Sequence, residues 1–161
     1  MRLKRVYGTH MPVLIRIMAI APPGPVVEFG AGPFSTPYLH WACFLSKRQL
    51  VTYENRAEFV REIGCLQSEW HRIIHTPEWD DADASQPWAV AFVDHEPAPR
   101  RGVELGRLTH AQYVIAHDTN RTAFYGYEAI EKLFKYHYKY RRAIPYTTIM
   151  SNVHDVSEVM A

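Results

Sequence analysis

Two glycines and an acidic residue are spaced as in a nucleoside-binding turn. Gly30 and Gly32 follow the predicted strand 26–29 and precede Ser35, a residue type that favours the start of a helix. Closely spaced glycines let the backbone turn sharply and approach a ligand at the N-terminus of the next helix. Glu54 ends the following apolar run, where an acidic side chain can bind ribose hydroxyls. We therefore predict that a nucleoside contacts these two segments, through Glu28, Gly30, Ala31, Gly32, Ser35, Thr36, Glu54 and Asn55.

The residues around this turn favour a cationic nucleoside that lacks phosphate. Pro33 has no backbone N–H to offer a pyrophosphate, and the carboxylate of Glu28 would repel one. S-adenosylmethionine carries an ammonium and a sulfonium group and no phosphate, so it suits these residues better than NAD does. Two alternatives stay open, an NAD-dependent oxidoreductase and a module that binds a nucleoside without turnover.

A second group of polar residues follows two other apolar runs. Asp94 and His95 come directly after the run 88–93, and His117 comes directly after the run 112–116. An imidazole titrates at about pH 6.5 and can act as a general base. We therefore predict Asp94, His95 and His117 as catalytic residues.

Hydrophobic periodicity predicts an alternation of strands and helices. The predicted helices span 11–20, 35–45, 56–70, 101–108 and 124–134, and the predicted strands span 26–29, 49–53, 72–75, 88–93, 112–116, 135–141 and 146–150. This order predicts an α/β fold, a doubly wound, Rossmann-like, mostly parallel sheet with a C-terminal antiparallel hairpin. We expect one domain over 1–161, with its core over 25–151. Ligands of such sheets bind outside the carboxyl ends of the strands, so both groups of polar residues should meet at one edge.

Two of the predicted helices carry an apolar face. Leu14, Ile15 and Met18 form that face on the helix 11–20, which we expect at the surface, with His10 ahead of it as part of a lid. The stripe on the helix 56–70 consists of Phe59, Val60, Ile63, Leu66 and Trp70.

Composition excludes several classes of protein. In 161 residues, 47% are hydrophobic and the formal net charge is +1, which predicts a globular core and no overall field toward nucleic acid or anionic lipid. No apolar run approaches the roughly 20 residues that span a bilayer, so a membrane protein is not expected. The two cysteines show no metal or disulfide spacing, which favours a reduced, cytoplasmic setting.

The segment 132–142 alternates cationic and aromatic residues. Such a mixture can bind single-stranded nucleic acid through stacking and phosphate contacts. Strict alternation also places the aromatic side chains on one face of a strand and the charges on the other. We prefer this second interpretation, a half-buried strand, and do not expect a nucleic-acid partner.

Taken together, these motifs resemble a class I S-adenosylmethionine-dependent methyltransferase, in the style of the small O-methyltransferases. The resemblance covers about residues 10–150 and is carried by Glu28-x-Gly30-x-Gly32, by Glu54, and by the runs 92–95 and 114–119. It implies that the glycine turn holds the methionine part of the cofactor and that Glu54 binds the ribose. It also implies an adenine contact in the loop after the third strand, at Trp79 or Asp80. The implied activity is methyl transfer to an oxygen of a small molecule.

The metal-dependent branch of that family suggests a magnesium site. Its aspartates after the fourth and fifth strands match Asp94 and Asp118, whose hard oxygen ligands suit magnesium. Thr119 stands where the third ligand is expected, and the loop 96–101 lacks the lysine that serves as base. The resemblance thus allows magnesium at Asp94 and Asp118 without requiring it. Because few segments can cover the site, we expect either a small acceptor or a homodimer that completes the pocket.

Overall fold

The computed structural model describes residues 5–120 and 126–160. Within them, seven strands form one sheet. The strands are β1 Val26–Phe29, β2 Leu50–Glu54, β3 His71–His75, β4 Val90–Val93, β5 Tyr113–His117, β6 Tyr136–Tyr140 and β7 Thr147–Ser151. Their order across the sheet is β3-β2-β1-β4-β5-β7-β6.

The sheet is parallel from β3 to β5 and antiparallel beyond β5. Strand β1 pairs in parallel with both β2 and β4. Successive strands are added on one side of β1 up to β3 and on its other side from β4 onward, so the strand order switches at β1. Strand β7 inserts antiparallel between β5 and β6 and forms a hairpin with β6. The predicted fold class, including the C-terminal hairpin, is therefore confirmed. The insertion of β7 beside β5 is an addition that periodicity did not predict.

The helices lie on both faces of this sheet. They are α1 Met11–Ile20, α2 Ser35–Ser46, α3 Ala57–Ile63, α4 Arg101–Arg107 and α5 Tyr127–Glu131, with 3-10 turns at Arg5–Gly8, Gly64–Leu66, Trp79–Asp81 and Ala98–Arg100. Among the described residues, no helix has the length and apolar character needed to cross a membrane.

The core consists of one apolar layer on each face of the sheet. On one face, Leu14 and Ile17 of α1 and Leu39 of α2 pack against strand residues such as Phe92. On the other face, Leu105 of α4 packs with inward-facing residues of the central strands and with two tryptophans, Trp79 and Trp88. Because both faces are covered, every residue of β1, β2, β4 and β5 is buried.

Two predicted helices are shorter in the structure. The helix predicted over 56–70 ends at Ile63, because a 3-10 turn and a bend follow it. None of its residues is fully buried. Trp70 therefore lies off that helix, and its indole Nε1 donates to the backbone oxygen of His40, 3.1 Å away. The helix predicted over 124–134 is helical only at Tyr127–Glu131, and part of it lies outside the described residues.

Smaller corrections concern the two ends of the chain. Ile15 was expected in the apolar face of α1, but its side chain is 49% exposed while Val13 and Ile17 are buried. The core also extends past residue 151, because Val156 and Val159 pack on the α1 face of the sheet.

Candidate functional site

A cleft of about 330 Å³ opens at the carboxyl ends of β1, β4 and β5. On one side it is lined by Ala31, Gly32 and Pro33, which together with Gly30 are called the glycine loop below. On the other side it is lined by Asp94 and the end of β5, and the N-terminal segment adds His10. Both groups of polar residues predicted from the sequence therefore meet at one edge of the sheet.

Gly30 is required where the glycine loop crosses the loop after β4. Its φ angle is +96°, in the region that favours glycine, and a Cβ atom there would lie 2.6 Å from the Cα atom of His95. The Gly30 amide donates to the Tyr53 oxygen at 2.9 Å. The turn therefore has a fixed shape set by its contacts with β2 and with the β4 loop.

Glu28 lies under the glycine loop rather than in the cleft. Its Oε2 atom accepts hydrogen bonds from the hydroxyls of Thr36 and Thr52, at 2.8 and 2.9 Å. Thr36 in turn accepts the amide N–H of Gly32 at 2.9 Å. Complete burial raises the pKa of Glu28 to about 7, against the opposing effect of hydroxyls that include Ser35. Glu28, Ser35 and Thr36, the last two being the first residues of α2, thus support the loop from below.

Glu54 holds the glycine loop from the side. Its Oε2 atom accepts the amide N–H of Ala31 at 2.8 Å, and its Oε1 atom accepts the amide N–H of Arg56 at 2.8 Å. The residue is only 2% exposed. Glu54, the residue predicted to bind ribose, is therefore hydrogen-bonded to the glycine loop. The side-chain amide of Asn55 beside it donates to the backbone oxygen of Glu96 at 3.0 Å.

Asp94 and His117 form an ion pair on the opposite side of the cleft. Asp94 Oδ2 lies 3.0 Å from His117 Nδ1, and the other ring nitrogen lies 2.8 Å from the hydroxyl of Thr9. Although burial opposes both charges, the imidazole lowers the pKa of Asp94 and the carboxylate raises the pKa of His117. The pair has the geometry of a base held in orientation by an acid.

Arg101 fills the space between the two aspartates expected to hold magnesium. Its Nη1 atom lies 3.0 Å from Asp94 Oδ1 and 3.1 Å from Asp118 Oδ2, and the side chain is 2% exposed. Its Nε atom donates to the His95 oxygen at 2.7 Å. A guanidinium ion therefore supplies the positive charge that the two carboxylates share. The structure gives no support to the magnesium site expected at Asp94 and Asp118.

His10 lies behind this ion pair and has unmet hydrogen-bonding capacity. It is 2% exposed, and neither of its ring nitrogens has a hydrogen-bond partner among the described residues. Its ring centroid is 4.8 Å from that of His117 and 4.8 Å from that of Phe92. Burial, together with the neighbouring charge of His117, lowers the pKa of His10 to about 4. The ring is therefore neutral at pH 7.

Two predicted site residues point away from the cleft. The side chain of His95 is fully buried, with its ring 4.1 Å from that of Trp79 and its Nε2 atom 3.0 Å from Glu104 Oε2. Asp80 lies at the surface and pairs with Arg100, and its neighbour Trp79 is buried in the core. Neither residue lines the cleft, so we do not include His95 in acid–base chemistry or Asp80 in cofactor binding.

The other cleft residues are only weakly indicated by sequence patterns. His10 and Thr9 come from the N-terminal segment, and only folding brings them to the end of β5. Arg101 was visible as a basic residue after β4, in the loop where a lysine was sought. A basic residue between two strand-end aspartates, Asp94 and Asp118, is typical of an ion pair with both, as the structure has it.

The fold of this chain is found in several solved methyltransferases. A methyltransferase from Pyrococcus furiosus is similar with a TM-score of 0.61 at 15% identity, over 91% of this chain and 84% of that one. Precorrin-6y C5,15-methyltransferase from Geobacter metallireducens is similar with a TM-score of 0.63 at 9% identity, over 94% of this chain and 93% of that one. Sp1610 of Streptococcus pneumoniae, described as a tRNA (m1A22) methyltransferase and bound to S-adenosyl-L-methionine, is similar with a TM-score of 0.56 at 11% identity, over 91% and 75% of the two chains.

These likenesses define the fold as that of class I S-adenosylmethionine-dependent methyltransferases. The resemblance expected from the sequence is confirmed at that level. No family model matches the chain, and no curated protein matches it.

Proposed function

We propose that this chain is an S-adenosylmethionine-dependent methyltransferase that acts on an oxygen of a small molecule. The observation that carries the proposal is the cleft, which joins the glycine loop to Asp94 and His117 in a methyltransferase fold. One side of the cleft would hold the cofactor, and the other would hold the acceptor.

The residues present fit this cofactor. The backbone of Ala31 and Gly32 lines the cleft, and Pro33 beside them has no N–H for a phosphate. When bound, S-adenosylmethionine supplies a methyl group on a positively charged sulfur. The carboxylates of Asp94 and Asp118 favour a cation over a dinucleotide, although Arg101 offsets part of their charge.

Glu54 is the residue we assign to the ribose. Like His95 and Asp80 it does not line the cleft, but it bonds the backbone of Ala31, which does. Each of its oxygens accepts one N–H, and a carboxylate has about four acceptor sites, so further hydroxyls can bind. Because Glu54 is only 2% exposed, ribose binding requires a local opening at Arg56, which lies 3.5 Å from it. Glu28, Ser35 and Thr36 support the loop without touching the cofactor.

His117, in its neutral form with Nδ1–H donating to Asp94, is the residue placed to accept a proton. Because Asp94 raises the pKa of the ring, the fraction in this form increases as pH rises. The Thr9 hydroxyl, 2.8 Å from His117 Nε2, occupies the place that an acceptor hydroxyl would take. The proton of that hydroxyl passes to Nε2 while Asp94 holds Nδ1, leaving the oxygen as the nucleophile. Most of the acceleration comes from holding two reactants in line, which needs little covalent help from the chain.

The size of the cleft favours a small acceptor. A volume of about 330 Å³ is at the lower end of the range of ligand pockets, roughly 300–1,000 Å³. Tyr136 and Tyr138 of β6 pack partly buried against the core and Tyr140 is buried, which favours a half-buried strand over a surface that stacks on bases. A homodimer that completes the cleft stays a prediction.

Calorimetric titration with S-adenosylmethionine, S-adenosylhomocysteine and NAD tests the cofactor assignment. We expect micromolar binding of the first two and none of NAD. Glu54→Gln should weaken binding at least about 10-fold, the effect of losing a hydrogen bond to a charged group. Glu58→Gln, an exposed acidic residue on α3, is the matched control and should bind as wild type. Binding of NAD alone would instead favour the oxidoreductase alternative, and binding of no nucleoside would reject the proposal.

Turnover with a labelled methyl group tests the enzymatic part. Incubation with a mixture of phenols, catechols and hydroxy acids should transfer the label, and His117→Ala should abolish transfer while leaving cofactor affinity within about 3-fold. Cofactor binding without transfer to any acceptor would favour the binding-module alternative.

A further inference from the structure

Three side chains with metal-binding atoms converge on the inner side of the cleft. His10, Asp94 and His117 each offer one ligand atom, and these atoms all lie within 4.8 Å of one another. They come from the N-terminal segment, the loop after β4 and the end of β5, so three separate elements meet there. We call this group the imidazole wall.

His10 supplies an observation that is independent of the clustering. Both of its ring nitrogens are buried without a partner among the described residues, and the ring lies against His117 and Phe92. Leaving a buried polar group unpaired costs free energy, so such groups are rare and call for an explanation. A ligand on the cleft side of His10 would provide the missing partner.

The ligand atoms that remain are Nδ1 of His117 and Oδ2 of Asp94, which hydrogen-bond each other, so a bound ion would replace that hydrogen bond. The Nε2 atom of His117 already faces the Thr9 hydroxyl, which leaves Nδ1 for a ligand, as in metal sites where the second nitrogen is held by a hydrogen bond. Arg101 holds Oδ1 of Asp94 and leaves Oδ2, which lies 3.0 Å from that Nδ1 atom.

We propose that the imidazole wall binds a divalent first-row metal ion such as zinc. Two imidazoles and one carboxylate are ligands that suit such ions, whereas magnesium requires mostly oxygen. An ion bound at about 2.1 Å brings its ligands to within roughly 3–4 Å of each other, so a shift of about 1 Å by one ring closes the set.

The charges around the wall also favour a cation. Arg101 forms ion pairs with three carboxylates, those of Asp94, Glu96 and Asp118. The Arg101 guanidinium and the His117 imidazolium thus face three negative groups, and a divalent ion that replaces the His117 proton would offset the excess. This site differs from the magnesium site expected at Asp94 and Asp118, because Arg101 occupies the space between those two residues.

The position of the wall gives the ion a role that rests on the proposed function. Three protein ligands leave coordination positions open toward the cleft, where an acceptor oxygen can bind. Such an ion holds that oxygen and lowers the pKa of its hydroxyl. With the ion bound, His117 is a ligand, and the proton of the acceptor hydroxyl would pass to solvent water rather than to its ring.

Titration of the EDTA-treated protein with zinc by calorimetry, and with cobalt by visible absorption, tests this site. The wild type should bind one ion per chain, and cobalt should give the absorption of a site with nitrogen and oxygen ligands. His10→Phe should weaken binding at least about 100-fold, because losing a ligand costs more than the 10–100-fold typical of residues that orient ligands. His137→Phe, which changes an exposed histidine on β6, should bind as wild type.

Two further measurements keep the outcome decisive. The side chain of His10 makes no hydrogen bond that His10→Phe would lose, and a urea midpoint in EDTA at or above that of the wild type will show that the variant folds. Asp94→Asn is the second variant and should weaken binding similarly. Absence of ion binding, or equal binding by wild type and His10→Phe, would overturn the proposal. Titration with S-adenosylhomocysteine in EDTA reports on the proposed function separately, so failure of one is distinguishable from failure of the other.

Discussion

The two sides of the cleft differ in how their polar groups are paired. On the glycine-loop side, the carboxylates of Glu28 and Glu54 accept hydrogen bonds from the chain's own hydroxyls and amides. On the imidazole wall, both nitrogens of His10 have no partner among the described residues. Oε1 of Glu28 also has no partner among the described residues, but the backbone of the glycine loop is held by hydrogen bonds to Glu54 and Thr36, whereas no side-chain hydrogen bond holds the His10 ring.

This difference indicates that the two sides of the cleft bind different ligands, the glycine loop the cofactor and the imidazole wall a metal ion. A loop whose shape is fixed by its own hydrogen bonds binds a ligand at a lower entropic cost, which suits a cofactor common to every turnover. An unpaired buried imidazole costs stability and is retained where a ligand uses it. The following predictions test each side separately.

The largest expected effect is that of Gly30→Ala on the loop side. The new Cβ would lie 2.6 Å from the backbone of His95, at a φ of +96° that alanine rarely adopts. We expect the free energy of unfolding to fall by about 3 kcal/mol or more, measured in urea.

Gly106→Ala is the matched control for this change. Gly106 lies within α4, its nearest Cβ contact would be Leu133 at 4.0 Å, and alanine favours a helix over glycine by about 1 kcal/mol. It should leave stability unchanged or raise it. Equal losses in the two variants would show that the loop is not fixed by its crossing with the β4 loop.

Glu28→Gln should change how stability depends on pH. The folded pKa of about 7 lies above the ordinary 4.5, so the stabilising contribution of Glu28 is complete below pH 4.5 and is lost as pH rises through about 7. The glutamine variant avoids this loss, so it should gain on the wild type by about 3 kcal/mol between pH 4.5 and pH 8.

Urea unfolding of both proteins at the two pH values measures this gain. The lowered pKa of His71 acts in the opposite direction, but it does so in both proteins and cancels in the comparison. A constant difference between variant and wild type at the two pH values would mean that Glu28 ionises normally under the loop.

On the wall side, His10→Phe should stabilise the protein when no ion is present. Phenylalanine fills the same space beside Phe92 and removes an unpaired buried polar group, so we expect a gain of about 1 kcal/mol in EDTA. Added zinc should stabilise only the wild type, by mass action. A loss of stability in EDTA would mean that the His10 ring already has a hydrogen-bond partner in solution and needs no ligand to provide one.

The smallest expected effect is that of Asp80→Asn. The carboxylate of Asp80 is at the surface, away from the cleft, and its pairing with Arg100 lowers its pKa. We expect the affinity for S-adenosylhomocysteine to stay within about 2-fold of wild type. A loss beyond 10-fold would instead place adenine at this loop, as the family resemblance suggested.

The sequence predicted the fold well because the evidence for it is local. The buried strands are mostly apolar, β4 entirely so, and the glycines mark the turn after β1, so element order and sheet edge follow from short patterns. The helix 56–70 was predicted too long, because its apolar spacing continued into a segment where a 3-10 turn intervenes. The position of β7 beside β5 depends on long-range pairing and has no local pattern.

The candidate site was predicted only in part for the same reason. Strand-end residues such as Asp94 and His117 could be found, because strand ends meet at a known edge. The sequence does not indicate in which direction a side chain points at the end of a strand. His95 is therefore predicted as a site residue beside Asp94, although its ring faces Glu104 in the core. His10 and Arg101 reach the cleft from other elements; the sequence suggests a lid for His10 and places Arg101 between two strand-end aspartates, but it does not show their contacts with Asp94 and His117.

Titration with S-adenosylhomocysteine in EDTA tests the division of the cleft most directly. Wild type, Glu54→Gln and His10→Phe are compared at one pH by calorimetry. The account predicts micromolar binding by wild type, a loss of at least about 10-fold in Glu54→Gln, and an affinity within about 3-fold of wild type in His10→Phe. No binding by wild type, or a loss in His10→Phe with Glu54→Gln unaffected, would contradict it.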